Sequence, residues 1–546
     1  MAHHRNNIVG REAVQPISAP AVQQPLYLKL LRRFSRPVDS LPLDLFRVLV
    51  GLVVFAYFLQ TLLEARDFSA PDGLIDHELT QRIFWFTRIG FFHPGPSLRF
   101  FQAIFLTACL CCWPVILGYR VKLFAAILYL IAVSTYRWNF LVMYVDDSVV
   151  HLALFWLLLL PVGRTLVARE WLAGRRDAWE RWKQAKAPGA AVRCFMWNLA
   201  LIYVVAGLWK WTSPMWRNGS ALYVILKLPI SLTPDFWQPQ HFAALQLLNY
   251  CALISEPLFA LIFILPRGHR AKYALLIVLL GFHVGTLVTL RIPYANLACI
   301  AALVIPFGGE LMDKLRRGQR ESTASFVPMR LAFSSVVAIV FVSILTLAMI
   351  SSATLPQWRA PSHPVTAAGG QDVQALSAQA GLFEGGATTV RRFNYEGLPT
   401  LQWSFFSVLW CMGQAQQYQL FNWIDERNYT VRYDVIEVRD RQAVRRNEAG
   451  TVMPQSTRGN LLQFYLHGLT WMRIPRERQA ELQSSLQVRL ARRYCQQFHP
   501  DGEVTVYSTL ERIYAEGNRI EEDHVPFMKF KCEGDEPRMS FTHLDM

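Results

Sequence analysis

Lys210 is the residue of greatest chemical reach in this sequence. It stands in Ala206-Gly207-Leu208-Trp209-Lys210-Trp211 and is followed by Trp216-Arg217-Asn218-Gly219. A lysine desolvated between Trp209 and Trp211 can present a neutral amine, which is a base. The same pattern also suits a lysine that snorkels to the headgroups from an aromatic belt. Asp146 and Asp147 open an apolar run, and His151 lies one helical turn below Asp147 on the same face. They read either as a solvated interfacial cap or as a polar funnel in which Asp147 and His151 set each other's protonation. Glu256, just before Pro257, and His283, in Gly281-Phe282-His283-Val284-Gly285, lie deep in two further apolar runs. An unpaired charge at that depth costs several kcal/mol, so each needs a partner. Glu256 and His283 are expected to approach each other within the bundle, with Lys210 or Arg291 as the other residues that would satisfy Glu256. Asp44 and Arg47, three apart, read as an intrahelical ion pair.

These residues need a scaffold, and composition names its solvent. Of 546 residues, 53% are hydrophobic and only 17% charged, where soluble domains carry about 25% charged residues. Mean hydropathy is +0.21. An all-soluble enzyme is excluded. The net charge of +15 would raise the question of nucleic acid in a soluble chain. Here the basic excess falls before Ala353, among the apolar runs, and marks membrane-flanking loops, so no nucleic-acid partner is expected. The nine cysteines show no Cys/His metal spacing, six of them lie in apolar runs as small core hydrophobes, and no metal is expected. No P-loop, GxSxG or dinucleotide fingerprint occurs.

Nine runs are long enough to cross, or nearly cross, a bilayer: Leu43 to Leu63, Leu98 to Gly118, Leu123 to Trp138, Leu141 to Val162, Phe195 to Trp211, Phe242 to Leu265, Tyr273 to Leu290, Pro293 to Gly309 and Leu331 to Ser352. With the N-terminus in the cytoplasm, the cytoplasmic segments carry 24 Lys and Arg and the opposite side nine. That bias predicts a multi-pass cell-membrane protein with the residues after Ser352 outside. The expected fold is an α-helical polytopic bundle of about nine spans with a small α+β extracytoplasmic C-terminal domain. Its boundaries are a cytoplasmic segment 1–41, a transmembrane domain 42–352, a linker 353–390 and the outer domain 391–546. Leu166 to Lys186, with Trp171, Trp179 and Trp182 among arginines, predicts a helix lying in the headgroup layer. Residues 360–386 read as a polar linker. Tyr429 to Val438 and Glu503 to Leu510 predict strands and Pro475 to Phe498 a helix. Cys495 and Cys532 would pair in an oxidising compartment and leave Cys411 free. The outer ends of the fourth and fifth spans bring Lys210 and both aspartates together with Trp138, Tyr144, Tyr203, Trp209 and Trp211.

The membrane half resembles the HTTM family, the transmembrane domain related to vitamin K-dependent gamma-glutamyl carboxylase. The likeness rests on Leu45-Phe46-Arg47 with Gly51, on Asp146-Asp147 and the run to Pro161, on Tyr203 to Lys210 with Trp216 and Gly219, and on Glu256 with His283, across residues 36–310. The resemblance implies that Lys210 is the base that deprotonates a reduced, vitamin K-like quinone. In that chemistry oxygen yields a strong alkoxide base, a glutamate gamma proton is removed and carbon dioxide captures the carbanion. Lys210, Asp147 and His151 would be catalytic, and Asp146, Trp209, Trp211, Glu256 and His283 would bind substrate. The implied partners are membrane lipids, a quinol and a peptide or protein substrate. One departure stands out: a histidine that works at the start of the family's fourth span falls here on Asp147. A carboxylate cannot stabilise a carbanion as a hydrogen-bond donor can, so quinol-dependent oxidation is the more direct expectation and glutamate carboxylation the weaker. The non-enzymatic alternative is a membrane protein whose polar cluster binds a lipid, a quinone or a partner peptide.

Overall fold

A chain in lipid must satisfy each backbone N–H and C=O internally, so apolar runs of this length become helices. The computed structural model describes residues 34–88, 90–92, 96–173, 177–316, 333–354, 409, 429–439, 442–446, 456–466, 476–500, 502–513 and 520–542. The N-terminal segment 1–33, the linker 360–386 and Cys411 lie outside the described residues. The long helices are α1 (Ser40–Leu63), α2 (Leu98–Leu117), α3 (Val121–Trp138) and α4 (Val145–Leu159). After the short α5 (Ala168–Leu172) and α6 (Ala178–Gln184) come α7 (Ala190–Thr212), the short α8 (Ala221–Lys227), α9 (Phe242–Leu258), α10 (Arg270–Thr289), α11 (Pro293–Ala302) and α12 (Phe333–Thr354). Among the described residues seven segments, at Ser40–Leu63, Leu98–Leu117, Val121–Trp138, Ala190–Thr212, Pro239–Ile264, Arg270–Thr289 and Phe333–Ile350, are long and apolar enough to cross a membrane. The protein is a multi-pass membrane bundle with a small sheet region near its C-terminus.

Two expected runs are shorter as helices than the sequence predicts. The run Leu141 to Val162 yields α4, whose 15 residues span about 22 Å at 1.5 Å per residue. A 3-10 turn occupies Phe140–Val142, and the helix stops at Leu159, two residues before Pro161. The run Pro293 to Gly309 yields α11, ten residues or about 15 Å. The chain then turns ahead of Pro306, which cannot donate to a continuing helix, and resumes as the separate helix Gly308–Leu315. α4 and α11 pack on each other and on α1. Two half-length helices thus lie together in the interior, which is where polar residues can be brought to membrane depth.

The Asp44–Arg47 pair forms as expected, Nε to Oδ1 at 2.9 Å with both side chains fully buried. It also ties three segments together. Asp44 accepts from the amides of Gly163, Arg164 and Thr165 at 2.5, 3.0 and 2.7 Å. Arg47 donates to the carbonyls of Val115 and Ile116 at the end of α2 and to Leu166 at 2.9 Å.

Near the C-terminus, β3 (Tyr429–Arg439), β4 (Gln442–Arg446), β5 (Glu503–Ile513), β6 (Ile520–Glu533) and β7 (Glu536–Thr542) form an antiparallel sheet in the order β4-β3-β5-β6-β7. The strands β1 (Val38–Asp39) and β2 (Lys186–Ala187) form a separate two-stranded ladder. Two helices accompany the larger sheet, α13 (Thr457–Leu466) and α14 (Arg476–Phe498). The expected strands and helix are present; β4, β6, β7 and α13 were not anticipated, and Ile520–Glu533 in particular is too dense in charge to read as a strand. Cys495 of α14 and Cys532 of β6 are disulfide-bonded. This unit does not hang free. Its core is continuous with Phe68, Leu74, Ile75, Phe140 and Leu141 of the connections after α1 and α3. Arg489 donates to the carbonyls of Pro71 and Gly73 at 2.8 Å, and Arg493 pairs with Asp67 at 2.5 Å.

His77 sits in that junction. Its Nδ1 lies 3.0 Å from the Trp138 carbonyl and its ring stacks on Trp138 at 4.2 Å. Burial holds its pKa down, to about 3, so the ring folds neutral. Below about pH 6.5 the unfolded chain takes up a proton that the folded chain refuses. Stability from this group is complete above that pH and declines toward pH 3 by about 1.4 kcal/mol per unit. The wild type is therefore expected to lose about 2 kcal/mol between pH 6.5 and 5 that His77→Gln keeps. Thermal unfolding in detergent at the two pH values measures this, and equal pH dependence in both proteins would contradict it.

Candidate functional site

The site begins on α7, where Tyr203, Gly207 and Lys210 follow at spacings of four and three and so share one face. α9 packs on this face. A Cβ at Gly207 would stand 2.6 Å from Pro257 Cδ and 2.9 Å from its backbone nitrogen. Only glycine lets the two backbones approach so closely, and the approach brings Glu256 to Lys210. The Lys210 ammonium, 2% exposed, is in hydrogen-bond contact with Glu256 Oε2 and lies 5.2 Å from the centre of the Trp216 ring. Glu256 is therefore not paired with His283 as expected but with Lys210, because the close approach of the two helices at Gly207 and Pro257 puts the carboxylate on the amine. Trp216, one short turn beyond α7, supplies the ring over the ammonium, while Trp209 is half-buried and Trp211 is 46% exposed on the outer face.

His283 of α10 is held elsewhere. Its Nδ1 is 2.8 Å from Asn296 Oδ1 and its Nε2 is 2.8 Å from the Tyr203 hydroxyl. Asn296 spends its amide hydrogens on the Ile292 carbonyl at 2.6 Å. Its oxygen therefore faces the imidazole, so Nδ1 carries the proton it donates there, and Nε2 stands within hydrogen-bond reach of the Tyr203 hydroxyl. Tyr203, two turns before Lys210, joins this trio to the Lys210–Glu256 pair along α7.

The two aspartates diverge. Asp146 turns to the start of α11, accepting from the Ala295 amide at 2.7 Å and from the Tyr144 hydroxyl at 2.8 Å. A carboxylate at a helix N-terminus satisfies orphan amides and complements the dipole. Asp147 accepts from the Tyr57 hydroxyl at 2.7 Å, from the Tyr144 amide at 2.9 Å and from Arg458 at 3.2 Å. His151 is buried one turn on, its ring edge-on to Tyr136 at 5.2 Å.

Arg458 was not legible in the sequence. It enters from α13, where Thr457 donates to the Arg291 carbonyl and Asn460 to the Pro229 carbonyl, both at 2.7 Å. Its guanidinium meets Asp147, Glu64 and Thr61, each at 3.2 Å, and lies 5.7 Å from the Tyr57 ring centre. Its pKa is raised despite burial, because Asp147 and Glu64 hold the charge. Tyr57 and Asn296 were legible in principle: a hydroxyl or amide inside an apolar run needs a partner. Arg458, in a polar segment far along the chain, carried no such signal.

The buried polar groups therefore form two clusters, Lys210–Glu256–Trp216 and Asp147–Arg458–Glu64, bridged by Asp146, the α11 N-terminus and the Asn296–His283–Tyr203 chain. Among the described residues no group of three or more His, Cys, Asp or Glu side chains could hold a metal ion. Compared with protein-family models, curated proteins and solved structures, the chain matches none of them.

Proposed function

We propose that this protein is a membrane-embedded enzyme that deprotonates and oxidises an amphipathic reduced quinone, with Lys210 as base. The observation that carries the reading is the burial of the Lys210 amine against Glu256 inside the bundle. An ammonium–carboxylate pair and a neutral amine–carboxylic acid pair differ only by one proton moved between atoms in contact. With Glu256 holding that proton, the amine can take the hydroxyl proton of a quinol, leaving a quinolate beside a new ammonium. The adjacent Trp216 ring favours that cation. Dioxygen, as the HTTM resemblance implies, would be the oxidant.

Quinol loss under air by purified protein in nanodiscs tests the reading. Lys210→Met is expected to abolish turnover, and so is Lys210→Met/Glu256→Leu, which strands no charge and keeps the fold. Lys210→Arg is expected to fail too, since guanidinium stays protonated. Turnover retained in Lys210→Arg would remove the base.

A non-catalytic reading has one observation in its favour: Asp147 is fully engaged by Arg458, Tyr57 and Tyr144, as a structural carboxylate would be. On that reading, mass spectrometry of extracted lipid finds a bound quinone or lipid in a protein without turnover.

The proposed topology has nine membrane-embedded segments, counting the short α4 and α11, with the N-terminus in the cytoplasm and the sheet region outside. The basic asymmetry and the Cys495–Cys532 disulfide support it. A reporter active only in the cytoplasm is expected to be silent when fused after Met546, and a signal there would reverse the assignment.

A further inference from the structure

A cleft of about 260 Å³ lies where α3 and α7 begin, α4 ends and the described part of α12 begins. Its walls include Lys122, Pro161, Arg164, Pro188, Ser334 and Ser335, and among the described residues no carboxylate lines it. Two positive groups there are fixed in place. The Lys122 ammonium donates to the carbonyls of Leu157 and Leu158 at 2.8 Å and to that of Leu160, which holds its charge in the wall at the α4 C-terminus. The Arg164 backbone is pinned by Asp44 Oδ2 at 3.0 Å. Its exposed guanidinium donates to the Lys186 carbonyl at 3.3 Å through one nitrogen, which leaves further donors. The deepest polar group is Ser335. It is 2% exposed, lines the cleft, and its hydroxyl bonds to nothing among the described residues.

The same end of the bundle shows where lipid headgroups lie. On α5 and α6, in the connection that leads into β2 and Pro188, Trp171 is 76% and Trp179 43% exposed. Exposed tryptophans interleaved with basic residues on short helices belong in the headgroup layer. A lipid phosphate at that level meets the remaining donors of the Arg164 guanidinium, which hold phosphate oxygens through charge-assisted hydrogen bonds, the fixed charge of the Lys122 ammonium, whose three hydrogens are already given to carbonyls, and a buried hydroxyl with a hydrogen to donate.

We propose that this cleft binds the phosphate of an anionic lipid headgroup from the leaflet that faces it. The assignment rests on the membrane placement of the bundle and is independent of the Lys210 chemistry. Free inorganic phosphate has the same recognising chemistry, so the experiment must separate the two sources.

The full-length protein is placed in nanodiscs of phosphatidylcholine doped with phosphatidylglycerol, released, and examined by native mass spectrometry for retained lipid. Wild type is expected to retain phosphatidylglycerol over phosphatidylcholine. Ser335→Asp, which adds a repelling carboxylate, and Arg164→Gln, at an exposed side chain that leaves the fold intact, are each expected to cut that retention about tenfold. Thermal unfolding confirms that each variant is folded. Inorganic phosphate in excess should not displace the lipid. Equal retention of the two lipids, or phosphatidylglycerol retained equally by wild type and Arg164→Gln, would overturn the proposal. Phosphate adducts at the cleft without retained lipid would overturn the lipid assignment in favour of a soluble anion.

Discussion

Glu256→Leu is expected to cost about 3–5 kcal/mol of stability, because it strands the Lys210 ammonium in the bundle interior. The carboxylate and the amine are both buried, and among the described residues Glu256 is the only carboxylate paired with Lys210. Restoring neutrality should restore most of the loss. The double variant Lys210→Met/Glu256→Leu is expected to recover to within about 1 kcal/mol of wild type, since a buried ion pair is often no better than well-packed apolar side chains. Thermal unfolding of wild type, both single variants and the double variant in one detergent closes the cycle. A double variant as unstable as Glu256→Leu would show that Glu256 supports the fold in some way other than by balancing Lys210. The cycle also separates stability from function: a pair that is dispensable for folding yet required for quinol turnover is placed for chemistry.

The second large effect belongs to Arg458. Arg458→Met leaves Asp147 and Glu64 facing each other's charge in a buried site and is expected to cost about 3–5 kcal/mol. The loss should be local first, because α13 is held to the bundle by Arg458, by Thr457 on the Arg291 carbonyl and by Asn460 on the Pro229 carbonyl. Hydrogen exchange at Thr457–Leu466 is therefore expected to rise before the membrane helices respond. Arg458→Lys keeps the charge but cannot span Asp147, Glu64 and Thr61 at once, and should fall between the two. Adding Asp147→Asn to Arg458→Met removes one stranded carboxylate and should recover part of the loss. Unchanged exchange across α13 in Arg458→Met would show that the helix is held by its apolar face and that the guanidinium contributes little.

The chemistry of the bundle was partly legible because ionisable residues in apolar runs are rare. Lys210, Glu256, His283, Asp146 and Asp147 stood out for that reason, and the structure buries all five. Asp44 and Arg47 were legible as a pair because three residues along a helix is a contact distance fixed by local geometry. The Cys495–Cys532 disulfide was an expectation from the oxidising compartment alone; three cysteines in the expected outer domain allow three pairings, and the structure joins these two. The partners were harder. Glu256 had three candidate mates, and what chose Lys210 was the close packing of α7 on α9 at Gly207 and Pro257, a crossing that no local pattern encodes. His283 went to Tyr203 and Asn296 because α10 packs on α11, which brings the ring to Asn296 near the start of α11 and to the Tyr203 hydroxyl of α7.

The sequence by itself determined that this chain is built for lipid, where its long helices run, which polar residues are stranded among apolar ones and where strands and a helix follow near the C-terminus. Those properties depend on composition and on periodicities of a few residues, and they survive any arrangement of the elements. Tertiary structure alone decided that α4 and α11 lie side by side, that Asp146 serves the start of α11, and that Arg458 reaches across from α13 to Asp147. Each of these joins residues more than a hundred positions apart. Such contacts are set by the packing of whole elements and by the need of each buried charge to find a partner, and neither leaves a trace in the spacing along the chain.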